Sequence, residues 1–275
     1  MQKLLNKFFS TGERALIRKD FTEIWSQKLV RNSLLMLPII MSVGMPLLFL
    51  LIAVFAPLRE LDVGAFQSLL GADMEKVGAR GQMFHVFTNF VCPMLFVMIP
   101  LMSATVSAAC TFVGEKERGT IETLLLSPLS VRKLFQAKVA GCALLAGMIT
   151  GISFVAFFVI TVVGDILTGA PFFFNLNWFI LVFLLSPALN VLGVVFMVMV
   201  SGRSKTTTEA MQVSGYIVFP ILLLFVGQIT GLFILEWWML LAAAAVIAAI
   251  DLLLFNRGFA RFTAVRVVVR MGSSV

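Results

Sequence analysis

In an otherwise oily chain, one stretch concentrates side chains that can make specific ionic contacts: GEKERGTIETLLLSPLSVRKLFQAK, Gly114 to Lys138. Glu115, Lys116, Glu117 and Arg118 are consecutive, and Gly119 and Thr120 then break or re-cap the chain. Ile121, Leu124 and Leu125 follow at i, i+3 and i+4, with Glu122 off that face. This spacing predicts a short helix with one apolar side. Pro128 ends it, because the residue before a proline is pushed out of helical geometry. Ser130 is placed to cap the next segment, where Arg132, Lys133 and Lys138 lead into another apolar run. Such a helix, apolar on one side and acidic beside it, suits docking into a groove on a soluble partner. The alternative, a connector lying at a membrane surface, covers the apolar face but not the density of acids. Either way this is recognition chemistry and not bond-making chemistry.

Groups that make or break bonds are sparse. His85 is the only histidine, and a lone histidine is most often structural. Cys92, Cys110 and Cys142 fall inside apolar runs without ligand spacing and read as small core hydrophobes. The sequence holds no HExxH, no GxSxG and no paired intramembrane carboxylates, so no catalytic residue and no metal site is expected. It also lacks GxxxxGK[ST], so it cannot cradle a nucleotide phosphate by that route. Asp165, Glu236 and Asp251 lie near predicted span ends, where they are expected to reach water or pair, Asp251 with Arg257.

The elements that must hold these residues are membrane spans. The 275 residues are 60% hydrophobic and 13% charged, where a soluble domain of this length would be about a quarter charged. Mean hydropathy is +1.03. Six apolar runs reach the roughly 20 helical residues that cross a bilayer core. They lie near Ser33–Phe55, Met83–Val113, Ala137–Gly164, Leu176–Val200, Gln212–Gly227 and Leu232–Phe255. Pro220 interrupts the fifth, the shortest; it is expected to form a tight hairpin with the sixth across Gly227–Gly231, the alternative being that part of this region is re-entrant and buried by other helices. Of the 21 Lys and Arg, only Arg59, Lys76 and Arg80 fall on one side of these runs; the other eighteen flank the opposite side. Positive residues stay in the cytoplasm, so both termini are expected there. The net charge of +7 therefore reports orientation and not nucleic acid, since no basic face interleaved with aromatics occurs.

The organisation expected is a cytoplasmic segment 1–32, a six-span domain 33–255 with its loop at 114–138, and a cytoplasmic tail 256–275. In the first segment Ile17, Phe21, Ile24, Trp25 and Leu29 recur at three- and four-residue spacing after Ser10 or Thr11 as N-cap. This is an amphipathic helix lying in the interface, either an orientation anchor or a lever joined to span one. No cleavable signal peptide is expected at the N-terminus. The outer loop 56–82 is expected to hold a short helix around 63–70.

With these residues in view, the stretch EKERGTIETLLLSPLSVRKLFQAK resembles the coupling-loop signature of ABC-2-type exporter permeases. That pattern runs acid-basic-acid-x-Gly-Thr-aliphatic-Glu-x-Leu-Leu, then Ser/Thr-Pro-aliphatic-Ser, then an apolar pair and a Lys. The six-span layout and N-terminal helix extend the resemblance over nearly the whole chain, most closely to the bacterial branch similar to sodium-efflux and antibiotic-resistance permeases. The resemblance implies an all-α membrane subunit of the inner (plasma) membrane. It implies partnership with a separate ATPase subunit that carries ATP and Mg, and with a second permease copy or homologue. Glu115, Glu117, Gly119, Thr120, Ile121, Glu122, Leu124, Leu125 and Pro128 match the motif and inherit the coupling role. Relatives often carry a longer pair of re-entrant helices between spans five and six than Gly227–Gly231 allows here.

Polar residues inside spans are candidates for a translocation path: Thr88, Asn89, Ser103, Thr105 and Ser107, then Asn190, and Gln212, Ser214, Tyr216, Gln228 and Thr230 around span five. The alternative for each is a bond to its own helix or a neighbour. The alternative for the whole chain is a gradient-driven carrier or a membrane scaffold without an ATPase. That reading needs buried ionisable groups, which the sequence shows sparingly.

Overall fold

A computed structural model describes residues 11–55, 77–120, 131–229 and 236–261. Ile121, Glu122, Leu124, Leu125, Pro128, Ser130 and Thr230, and the helix expected around 63–70, lie outside the described residues. The described residues form helices and no strands. We number them α1, Thr11–Ser26; α2, residues 28–55; α3, Ala79–Glu117; α4, Val131–Thr168; α5, Leu176–Ser201; α6, Thr207–Ile229; and α7, Trp237–Arg261. The last six are each long and apolar enough to cross a membrane.

Four π-helical turns interrupt the spans: Ile40–Gly44 in α2, Phe87–Val91 and Ala109–Val113 in α3, and Leu181–Leu185 in α5. Three of them end two residues before a proline, Pro46, Pro93 and Pro187. A proline has no N–H for the carbonyl four residues back, so the next N–H takes that carbonyl and the turn widens. The turn Ala109–Val113 has no such cause. The residue in the matching place is Glu115.

α3 is the central pole. In its most apolar window 78% of residues are buried, against 22% for α6 and 17% for α7, which ride on the outside of the bundle. The end that carries α1 is the basic end. In that half α3 and α5 approach closely on small residues. A Cβ added at Gly193 would sit 2.9 Å from Ala104 Cβ and 3.0 Å from the Leu101 carbonyl. The far half is filled by rings: Phe96, Phe154, Phe157, Phe173 and Trp178 form one contiguous cluster. The α4–α5 turn is folded onto it by Asp165, whose Oδ2 accepts from the Phe173 N–H at 3.0 Å.

Three expectations change here. α3 runs past Val113 to Glu117 and α4 begins before Ala137, at Val131, so both helices reach into the expected loop 114–138. At about 1.5 Å per residue each helix is roughly 58 Å long, well beyond a 30 Å bilayer core. Asp165 and Asp251 are buried and not solvated, and Asp165 is engaged by the Phe173 N–H of the α4–α5 turn. The stripe of α1 does not face lipid alone. Leu16 and Ile17 pack on Leu134 and Ala137 of α4. Ile24 joins Val106 and Cys110 of α3 and Leu145 and Ile149 of α4. Trp25 stays 39% exposed and stacks on Phe21.

Candidate functional site

The last turn of α3, Gly114–Glu117, explains the charged stretch. Gly114 is an ordinary right-handed helical residue, so the helix does not exit there as the glycine suggests. It exits at Gly119, which has φ +68, a value that costs a residue with a Cβ roughly 1–2 kcal/mol. The Gly119 N–H donates to the Lys116 carbonyl at 3.2 Å and the Thr120 N–H to the Glu115 carbonyl at 3.0 Å. This is the paired closure of a Schellman cap, which satisfies carbonyls left open at a helix end. The Thr120 hydroxyl reinforces it by donating to the same Glu115 carbonyl at 3.3 Å. Gly119 and Thr120 therefore fix the direction in which the chain leaves α3.

Each charged residue of that turn is engaged inside the subunit. Glu115 is 4% exposed and does not enter water as its sequence position suggests. Its Oε2 pairs with Lys138 Nζ of α4, and its Oε1 lies 3.8 Å from Lys19 Nζ of α1. Lys138 is equally buried, 3.9 Å from Asp20 Oδ2 and 5.9 Å from the Phe112 ring centroid. Lys116 Nζ donates to the Ser204 carbonyl in the α5–α6 turn at 3.0 Å. Glu117 Oε2 accepts from the Thr207 N–H at 2.9 Å and from the Thr207 hydroxyl at 2.7 Å, at the N-terminus of α6. Arg118 pairs with Glu23 of α1. Four consecutive side chains thus tie the end of α3 to α1, α4, the α5–α6 turn and α6.

Burial pushes the Asp20 carboxyl up to about 6; the nearby Lys138 opposes that rise and the Glu115 carboxylate adds to it. A small crevice of about 10 Å³ opens beside these groups, lined by Asp20, Glu23, Cys110, Thr111, Glu115 and Arg118 among others. Among the described residues no group of His, Cys, Asp and Glu has the arrangement of a metal site.

The candidate path residues differ in their surroundings. Thr88, Thr105 and Ser214 turn their hydroxyls onto carbonyls of their own helices, Phe84, Met102 and Met211. Asn190 Nδ2 donates to the Ala143 carbonyl of α4 at 3.0 Å, and Gln228 Nε2 to the Phe90 carbonyl of α3 at 3.0 Å. Ser103 and Ser107 are buried on α3. Asn89 meets His85 on its own helix and accepts from Asn175 Nδ2 at 2.8 Å at the far end. Gln212 and Tyr216, one turn apart on α6, are exposed, Tyr216 by 76%.

Sequence reasoning missed Lys19, Asp20, Glu23, Ser204 and Thr207, and read Lys138 only as a loop cation. One signal was available: Asp20 stands at i+3 from Ile17, on the apolar stripe of α1. Thr207 and Ser204 carried no signal, because their partners are about 90 residues away.

A family model described as ABC-2 family transporter protein matches residues 14–257. Searches of curated proteins and of solved structures found no match.

Proposed function

The chain belongs to the ABC-2 family of transporter proteins, and from that premise we propose that it is the permease half of an exporter driven by a separate ATPase subunit. ATP and Mg would be held by that partner, since this sequence has no phosphate-binding loop of the GxxxxGK[ST] type. The segment 118–130 would dock on the ATPase. Ile121, Leu124 and Leu125 would fill an apolar groove there, flanked by Glu122 and ended by Pro128.

The observation that carries this reading is the end of α3. A segment that only connected two spans would not need a rigid cap and four consecutive side chains tied to four neighbouring elements. A segment that receives a mechanical stroke does, because force applied beyond Gly119 must reach the spans without being absorbed by a loose joint. Both α3 and α4 project past the bilayer core, which supports a contact made in water away from the lipid surface.

Closure of two ATPases around ATP would then move the loops of two permease copies, and substrate would pass along the surface between the copies. Exposed polar residues on α6, Gln212 and Tyr216, suit such a surface better than bare lipid. The excess of Lys and Arg at the basic end supports cytoplasmic termini in the plasma membrane.

The test is affinity purification of the tagged full chain from its native membrane in mild detergent. The expected result is co-purification of a Walker-type ATPase with Mg-dependent ATP hydrolysis. Leu124→Ala should weaken that association by about 1–3 kcal/mol, as interface anchors do. Purification of the chain without any ATPase, with uptake driven by an ion gradient alone, would overturn the reading in favour of a carrier.

A further inference from the structure

We infer that Glu117 is a positioning residue for α6, passing movement of the loop after α3 to the span that carries Gln212 and Tyr216; this rests on the ATPase-driven reading above.

α6 is held to α3 by polar contacts at both of its ends. At the basic end the Glu117 carboxylate accepts two hydrogen bonds from Thr207, one from its N–H and one from its hydroxyl. Thr207 is the first residue of α6, where unpaired N–H groups and the helix dipole both favour an anion. At the far end Gln228 Nε2 donates to the Phe90 carbonyl of α3. Between them Val218 packs on Met98 and Leu101 of α3. The two ends differ in surroundings. Gln228 is half-buried, whereas Glu117 is exposed and meets water that competes for its bonds. The doubly bonded basic-end contact is therefore the one that moves with the end of α3, and the far-end contact is the pivot.

The rest of α6 is free to follow. Only 22% of its apolar window is buried, so little intrasubunit packing opposes a tilt. The other end of the linkage is stiff. Glu117 lies two residues before Gly119, inside the doubly bonded cap, and its neighbour Glu115 is locked to Lys138. A push on the loop thus arrives at Glu117 with little slack, and Glu117 delivers it to the first turn of α6. Lys116, bonded to the Ser204 carbonyl, holds the preceding turn in step.

The experiment places spin labels on Thr208→Cys of α6 and Lys133→Cys of α4, both exposed. Background is low because Cys92, Cys110 and Cys142 are buried. In the full chain alone, the parent should give one narrow distance distribution and Glu117→Ala a broadened one, with Glu117→Asp restoring the narrow form. In the complex purified with its ATPase, addition of ATP should shift the parent distribution. Glu117→Ala should lose that shift, and Thr207→Val, which lies outside the coupling stretch, should reduce it while ATP hydrolysis and assembly persist, which a merely structural defect would not do. If Glu117→Ala fails to assemble, Thr207→Val replaces it, since it removes the hydroxyl bond from the α6 side and leaves the loop untouched. An unchanged distribution in the chain alone, or no ATP-driven shift in the parent complex, overturns the inference. The first arm needs no partner, so it passes or fails whatever becomes of the ATPase reading.

Discussion

Lys138 is the residue on which the basic end turns. Its ammonium group reaches Glu115 and Asp20 from α4 and is almost wholly shielded from water. Removing one member of a buried pair leaves the other without compensation, typically at about 3–5 kcal/mol, while replacing both by apolar groups of similar volume is often neutral. Lys138→Ala should therefore lower the thermal midpoint of the detergent-solubilised protein by several degrees, and Glu115→Met with Lys138→Met should recover more than half of the loss. Asp20 gives a pH-dependent prediction. Its folded-state pKa, about 6, lies above the usual 3.8, so between those values the folded protein holds a proton that the unfolded chain has released. Stability from this group is full below about pH 4 and is lost as pH rises through 6, at up to about 1.4 kcal/mol per unit. Asp20→Asn should be more stable than the parent at pH 7.5, with the difference shrinking towards pH 4, as read from melting curves across that range. This pair could not be read from sequence. Lys138 and Glu115 are 23 residues apart across a loop, and nothing in either neighbourhood says that the two helices bring them together in the dry.

At the scale of elements, the joint between α3 and its loop depends on one backbone conformation. Gly119 has φ +68 and no atom within 4 Å of the place a Cβ would take, so a substitution there tests backbone strain alone. Gly119→Ala should cost roughly 1–2 kcal/mol locally, and Gly119→Asn less, because asparagine tolerates the left-handed region. Both variants should insert and fold. The alanine form should show faster amide hydrogen exchange at Thr120, whose N–H closes the cap on Glu115. The six spans were legible in the sequence because twenty apolar residues in a row admit one solvent. The joint was legible only as punctuation: glycines at 114 and 119 look alike in a sequence, and only the backbone tells them apart, right-handed at Gly114 and left-handed with the closing bonds at Gly119. The amphipathic stripe of α1 was legible too, but periodicity says that a face is covered and not what covers it. Here Leu134, Ala137 and Leu145 of α4 share that task with Val106 and Cys110 of α3.

Across the whole molecule, burial and charge run in different directions. Burial falls outward from α3, so among the described residues α6 and α7 present exposed apolar faces, of the kind that lipid or a partner covers. Charge is divided along the length of α3: the basic end gathers the exit of α3, the start of α4, the N-terminus of α6 and the whole of α1, while the described residues of the far end are packed by rings and by the Asp165 turn. Eighteen of the 21 Lys and Arg flank the basic side by sequence, and a translocating chain leaves such loops inside. This sets an outcome for single-cysteine variants in intact cells, where the native cysteines are buried and should stay silent. Phe172→Cys and Trp237→Cys, at exposed positions of the far end, should react with a membrane-impermeant maleimide added outside. Thr22→Cys on α1 and Thr208→Cys on α6, both exposed at the basic end, should react only after permeabilisation. Were Thr22→Cys and Phe172→Cys to react under the same conditions, the two ends would not face opposite compartments. The tied end of α3 would then have no cytoplasmic ATPase within reach, and the mechanical role given to its four charged side chains would fall with it.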